Sequence, residues 1–122
     1  RLPRGIGWAE LVREVHQQGG AAVAAHPNRW GQPFEKLVRE TGVELDGIEV
    51  MSNNMDDELR AKAADLLLRY PHLAQLGNSD SHDPATVGCC YTDFAADIRT
   101  PADLVAAIRG RAGVARVNPA RR

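Results

Sequence analysis

Amphipathic stripes of helical period alternate with short apolar runs along this chain, and that alternation restricts its fold more than any other feature. Trp8, Leu11, Val12 and Val15 fall at i, i+3, i+4 and i+7, so residues 8 to 18 read as a helix that Gly19-Gly20 stops. Small apolar residues, Ala21 to Ala25, then run into His26-Pro27, as a short buried strand opening into a loop would. Phe34, Leu37 and Val38 mark a second helix, begun by Pro33 and closed near Gly42. The β-branched stretch DGIEVM at 46 to 51 reads as a strand. Ser52, Asn53 and Asn54 are cap residues for a third helix with the stripe Met55, Leu59, Ala63, Leu66, Leu67 and Tyr70, which Pro71 ends. Residues 73 to 77 and Val87 to Phe94 follow as strands. Thr100-Pro101-Ala102-Asp103 starts a fourth helix with Leu104, Val105 and Ile108 on its buried face, and Val114 to Val117 forms a last strand. Such alternation predicts an α/β domain with mainly parallel strands.

At 122 residues the chain supports one core, so residues 1 to 122 are read as a single domain. A net charge of −1, with acids and bases interleaved, leaves no basic patch for nucleic acid or an anionic membrane. No apolar run approaches the roughly 18 residues a membrane span needs. The adjacent Cys89 and Cys90 read as reduced, strand-packed thiols, and no hydrophobic opening segment carries a cleavage site, so a cytoplasmic location is expected. The opening RLPRGIG reads as a chain entered partway, in the loop before a helix.

Where parallel strands end and loops begin, functional groups gather. The first strand here ends on His26, the second carries Glu49 and runs into Asn53, and the third runs into GNSDSHDPATVG at 77 to 88. Taken alone, that last stretch reads first as a polar turn, because Asn78, Ser79, Asp80 and Pro84 are turn formers. In an extended segment, however, Asp80 and His82 share a face and form a ligand pair. Imidazole and carboxylate donors of this kind suit Zn²⁺, Mn²⁺ or Fe²⁺. Glu49 points away from the face shared by Ile48 and Val50. If buried it needs a partner, and it reads equally as a site carboxylate or as a structural one satisfied by an arginine or a backbone amide. Arg29, three residues after His26, has a planar fork suited to phosphate. His16 reads as a surface residue and His72 as a cation tolerated near a helix C-terminus, neither a site candidate. Asp83 belongs first to the Asp-Pro turn.

The stretches AAHPNRW (24 to 30), DGIEVMSNN (46 to 54) and GNSDSHDPATVGCCYTDF (77 to 94), in this order and spacing, resemble the C-terminal half of the PHP domain. This is the polymerase and histidinol phosphatase superfamily of metal-dependent phosphoesterases. The resemblance implies a fold, half of a distorted (β/α)7 TIM-like barrel. It also implies that His26, Asp80 and His82 are metal ligands in a cluster of two or three divalent ions (Zn, Mn or Fe), with Asp80 and His82 at the catalytic centre. Arg29, Glu49 and Asn53 are then candidates for substrate contact, and the implied substrate is a small phosphorylated molecule of the nucleotide or oligonucleotide class. The family's leading His-x-His motif does not occur here. The chain is therefore read as a fragment, inactive alone, whose open strand edges a homodimer could cover. The rival expectation is a non-catalytic PHP scaffold module, such as one associated with a bacterial DNA polymerase.

Overall fold

The computed structural model describes residues 4–31 and 34–121. Helix α1 (Trp8–Gln17) leads into strand β1 (Val23–Ala24), a 3₁₀ turn at Arg29–Gly31 and helix α2 (Phe34–Thr41). Strand β2 (Gly47–Met51), helix α3 (Asp57–Arg69) and strand β3 (Ala74–Gly77) follow. A second 3₁₀ turn (Pro84–Thr86), strand β4 (Cys90–Phe94), helix α4 (Pro101–Arg109), strand β5 (Gly113–Val117) and a 3₁₀ turn at Pro119–Arg121 complete the order. Each element anticipated from periodicity is present. Pro33, anticipated as the start of α2, lies outside the described residues.

β1, β2 and β3 form a parallel sheet in that order, pairing Val23 with Gly47 and Gly47 with Ala74. Central β2 is buried along most of its length, as a strand covered on both faces must be. Ile48 and Val50 enter the main core with Val12, Phe34, Leu45, Met55, Ala63 and Leu66. Ala74 and Leu76 form a smaller core with Ile108 of α4. No helix among the described residues is long and apolar enough to cross a membrane.

The half-barrel expectation is overturned, because the parallel sheet stops at β3. β4 and β5 instead pair antiparallel with each other, Cys90 with Val117 through Phe94 with Gly113. Side chains join β3 to this ribbon where a next barrel strand would pair by its backbone. Gly77 N–H donates to Thr92 Oγ1 at 3.0 Å, and the Thr92 hydroxyl donates back to the Gly77 carbonyl at 2.9 Å. Gln75 Oε1 of β3 accepts the Ala115 N–H at 3.1 Å. Gly77 makes the approach possible, since a Cβ there would stand 2.6 Å from the Tyr91 carbonyl oxygen. A side-chain clasp thus replaces the backbone ladder that closure into a barrel requires.

Two caps differ in an instructive way. Helix α4 has the anticipated start: Thr100 Oγ1 accepts the Asp103 N–H, and the Asp103 carboxylate accepts the Thr100 N–H, a reciprocal capping box. Helix α3 is capped later than Ser52–Asn54, by Asp56, whose Oδ1 accepts the Leu59 N–H at 2.8 Å. The fully buried Ser52 serves the preceding turn instead, accepting the Asn54 N–H at 3.2 Å.

Candidate functional site

The parallel arrangement places the ends of β1, β2 and β3 side by side, and their loops carry most of the residues singled out in the sequence. Glu49 is the anchor. It is only 3% exposed and spans two loops, accepting the His26 backbone N–H on Oε2 at 2.7 Å and the Asn78 side-chain amide on Oε1 at 3.0 Å. Both carboxylate oxygens therefore have donors, which is what a buried carboxylate requires. Its role is to fix the start of the His26 loop against the start of the Asp80 loop.

Asp80 Oδ2 accepts the Asn54 side-chain amide at 2.6 Å, and the same amide reaches the Asp80 carbonyl at 3.2 Å. The Arg29 guanidinium stands 3.4 Å from Oδ2, with both side chains about one-quarter exposed. The Asn54 hydrogen bond holds the Asp80 carboxyl below the ordinary carboxylate range, and the charges of His82, Arg29 and His26 pull in the same direction against partial desolvation. His82 is exposed, and its Nδ1 lies 3.0 Å from the Asp80 carbonyl. When Nδ1 donates that bond, Nε2 is the free acceptor of the ring. The His26 Nδ1 atom is buried with no hydrogen-bond partner. Asp83 caps the following 3₁₀ turn, with Oδ1 accepting the Ala85 N–H at 2.7 Å, as the turn reading anticipates.

Backbone strain marks the same place. Five described residues other than glycine have positive φ; four of them, His26 (28°), Asn28 (69°), Trp30 (56°) and Asp80 (44°), lie in the loops after β1 and β3. Side chains with a Cβ pay roughly 1–2 kcal/mol for such backbone, Asn and Asp the least.

The structure gathers His26, Arg29, Glu49, Asp80 and His82 at one end of the sheet, and leaves Asn53 out. Asn53 is exposed and lines a separate cleft of about 360 Å³ with Arg60, Cys89, Cys90 and Val117. Its neighbour Asn54 takes the inward place. An Asn-Asn pair after a strand signals that one of the two can turn inward, but which one depends on the turn that Ser52 makes. Cys89 and Cys90 are both buried thiols, as anticipated.

A metal ion is only partly catered for. The orphaned His26 Nδ1 and the free position on His82 are suitable donors, and Asp80 is ionised. Among the described residues, however, no three His, Cys, Asp or Glu side chains converge closely enough to hold an ion. Asp80 faces Asn54 and Arg29 instead.

No curated protein and no solved structure matches the chain. His26, Arg29 and Glu49 lie outside the stretch that a family model matches. From Arg60 in α3 through the loop of Asp80 and His82 to Ala112 beyond α4, residues 60–112 match the model of a family described as PHP-associated, which bears out the PHP resemblance over that stretch.

Proposed function

We propose that the loops after β1 and β3 are one side of a divalent-metal site for phosphoester hydrolysis, with His26, Asp80 and His82 as metal ligands. The observation that carries this reading is the concentration of strained, non-glycine backbone on those loops, beside a buried imidazole nitrogen without a partner. Strained backbone and an orphaned nitrogen occur singly elsewhere among the described residues, at Arg111 and at Trp8 and Arg60, but only on these loops do the two features stand together. Bound Zn, Mn or Fe would supply a Lewis acid that activates water and screens phosphoryl charge. The chain's own contribution is positional: Glu49 fixes the two loops, Asn54 holds the Asp80 carboxylate in place by its hydrogen bonds, and Arg29 leaves Asp80 to take a phosphate oxygen, for which its fork is suited.

The absence of three converging donors among the described residues favours a second reading, a PHP-associated module that folds without metal or catalysis. Titration with Mn²⁺ separates the two, because paramagnetic broadening in a ¹⁵N NMR spectrum reveals even a weak two-ligand contact. Broadening confined to residues 26–30 and 79–83, and lost in the Asp80→Ala, His82→Ala double variant, supports the metal site. Broadening that is absent or spread over surface carboxylates makes the module reading the correct one.

A further inference from the structure

The stretch from Asn78 to Gly88 contains no buried residue, so hydrophobic packing does not fix the loop that carries Asp80 and His82. Polar contacts hold it instead, and a compact set of them surrounds Ser81, the one residue between the two. The Ser81 hydroxyl lies 2.7 Å from the Asp83 carbonyl and 2.9 Å from Thr86 Oγ1. The Thr86 hydroxyl reaches the same carbonyl at 2.9 Å. Two hydroxyl protons thus serve three oxygen–oxygen contacts, and the pair acts as one unit. Whichever hydroxyl donates to the other, the remaining proton goes to the Asp83 carbonyl.

The 3₁₀ turn at Pro84–Thr86 does not need this unit. Asp83 Oδ1 already caps it through the Ala85 N–H, and the Thr86 N–H donates to the Asp83 carbonyl at 3.0 Å. What the hydroxyls add is a hold on the chain just after Asp80. Asp80 has left-handed backbone (φ 44°), which persists only where the surroundings over-determine it. Asn54 grips Asp80 itself, through its carboxylate and its carbonyl. Ser81 engages the opposite neighbour, the 84–86 turn, while His82 folds back with Nδ1 3.0 Å from the Asp80 carbonyl. The peptide between Asp80 and His82 is thereby clamped from both sides.

From this geometry we infer that Ser81 is a positioning residue of the proposed metal site, locking with Thr86 the peptide that sets Asp80 and His82 relative to each other. The inference rests on the metal reading above and adds to it a residue that holds no metal itself. Its effect passes through the backbone of its two neighbours.

The test follows Mn²⁺ broadening of the amide signals of residues 79–83 in the native chain and in three variants. Ser81→Ala and Thr86→Val each remove one hydroxyl, and each is expected to raise the Mn²⁺ concentration at half-broadening about tenfold, the lower end of what outer partners of metal ligands contribute. Thr86→Ser keeps the hydroxyl and should match the native chain. Thermal midpoints should agree within about 3 °C across the set, because changes in a loop outside the core shift global stability little. A Ser81→Ala chain with the native Mn²⁺ response overturns the positioning role and leaves the metal site standing. A weakened response that comes with a larger fall in the thermal midpoint, or that Thr86→Ser shows as fully as Thr86→Val, overturns it too, since the contribution is then structural. If the native chain shows no broadening at 79–83, the metal reading falls and the inference falls with it.

Discussion

The two ends of the parallel sheet use the same residue types, His, Asp and Arg, to opposite effect. At the end where the strands begin, Asp46 is fully engaged. Its Oδ2 accepts the Ala22 N–H and contacts His16 Nε2, each at 2.7 Å, and its Oδ1 lies 3.5 Å from Arg109 Nε. Arg109 in turn donates to the Gly20 carbonyl at 2.6 Å. One carboxylate thus ties α1, the approach to β1 and α4 together, and none of these residues has strained backbone. At the end where the strands finish, Asp80 has left-handed backbone and only a long, partly exposed contact with Arg29 at 3.4 Å, while His26 keeps a buried nitrogen without a partner. Complete mutual satisfaction marks a structural clasp, whereas the incomplete satisfaction and strain at the other end are the features that the proposed ligand site accounts for.

Stability measurements can break this contrast, and the largest effect is expected at the clasp. Asp46→Ala leaves a backbone N–H and an arginine without their acceptor, and should cost about 3 kcal/mol in urea unfolding. Asp80→Asn keeps a residue tolerant of left-handed backbone and should change stability by less than about 0.5 kcal/mol. Equal losses at the two positions would mean that both ends are structural.

Gly77→Ala addresses the joint that supports the strand-end site. Its methyl group would collide with the Tyr91 carbonyl and push the β4–β5 ribbon off β3, with a cost of about 2 kcal/mol in the same assay. Glu49→Ala strips the acceptor from the His26 N–H and should cost about 1–2 kcal/mol, with faster amide exchange at His26 as its local signature.

The smallest effect is electrostatic. Asn54→Ala removes the main cause of the low Asp80 pKa, so a ¹³C NMR titration of that carboxyl should show it moving up toward the ordinary carboxylate value. A depressed native pKa means that the folded state holds its proton less tightly than the unfolded chain. The associated stability is present above the carboxylate range and lost as pH falls through the native pKa, and the variant should lose less of it in acid.

The site was legible in the sequence to the extent that it depends on strand ends. His26, Arg29, Glu49, Asp80 and His82 could be placed on one edge because each follows or lies within a short apolar run. Asn54 was not legible as the inward residue, since adjacent loop residues differ only in how the turn is wound. His16 read as a surface residue on its helix, and only the long-range approach of Asp46 shows its structural use.

The sequence by itself determined the order and type of the elements, the parallel start of the sheet, the capping box of α4 and the apolar faces, because periodicity and capping are local and act within a few residues. Only the tertiary structure decided that the sheet ends at β3, that Thr92 meets the Gly77 backbone while Gln75 accepts the Ala115 N–H, and that Glu49 binds two loops 23 and 29 residues away from it in sequence. Those outcomes depend on which distant donor and acceptor the packed arrangement brings together at lowest free energy, and no local pattern encodes that competition.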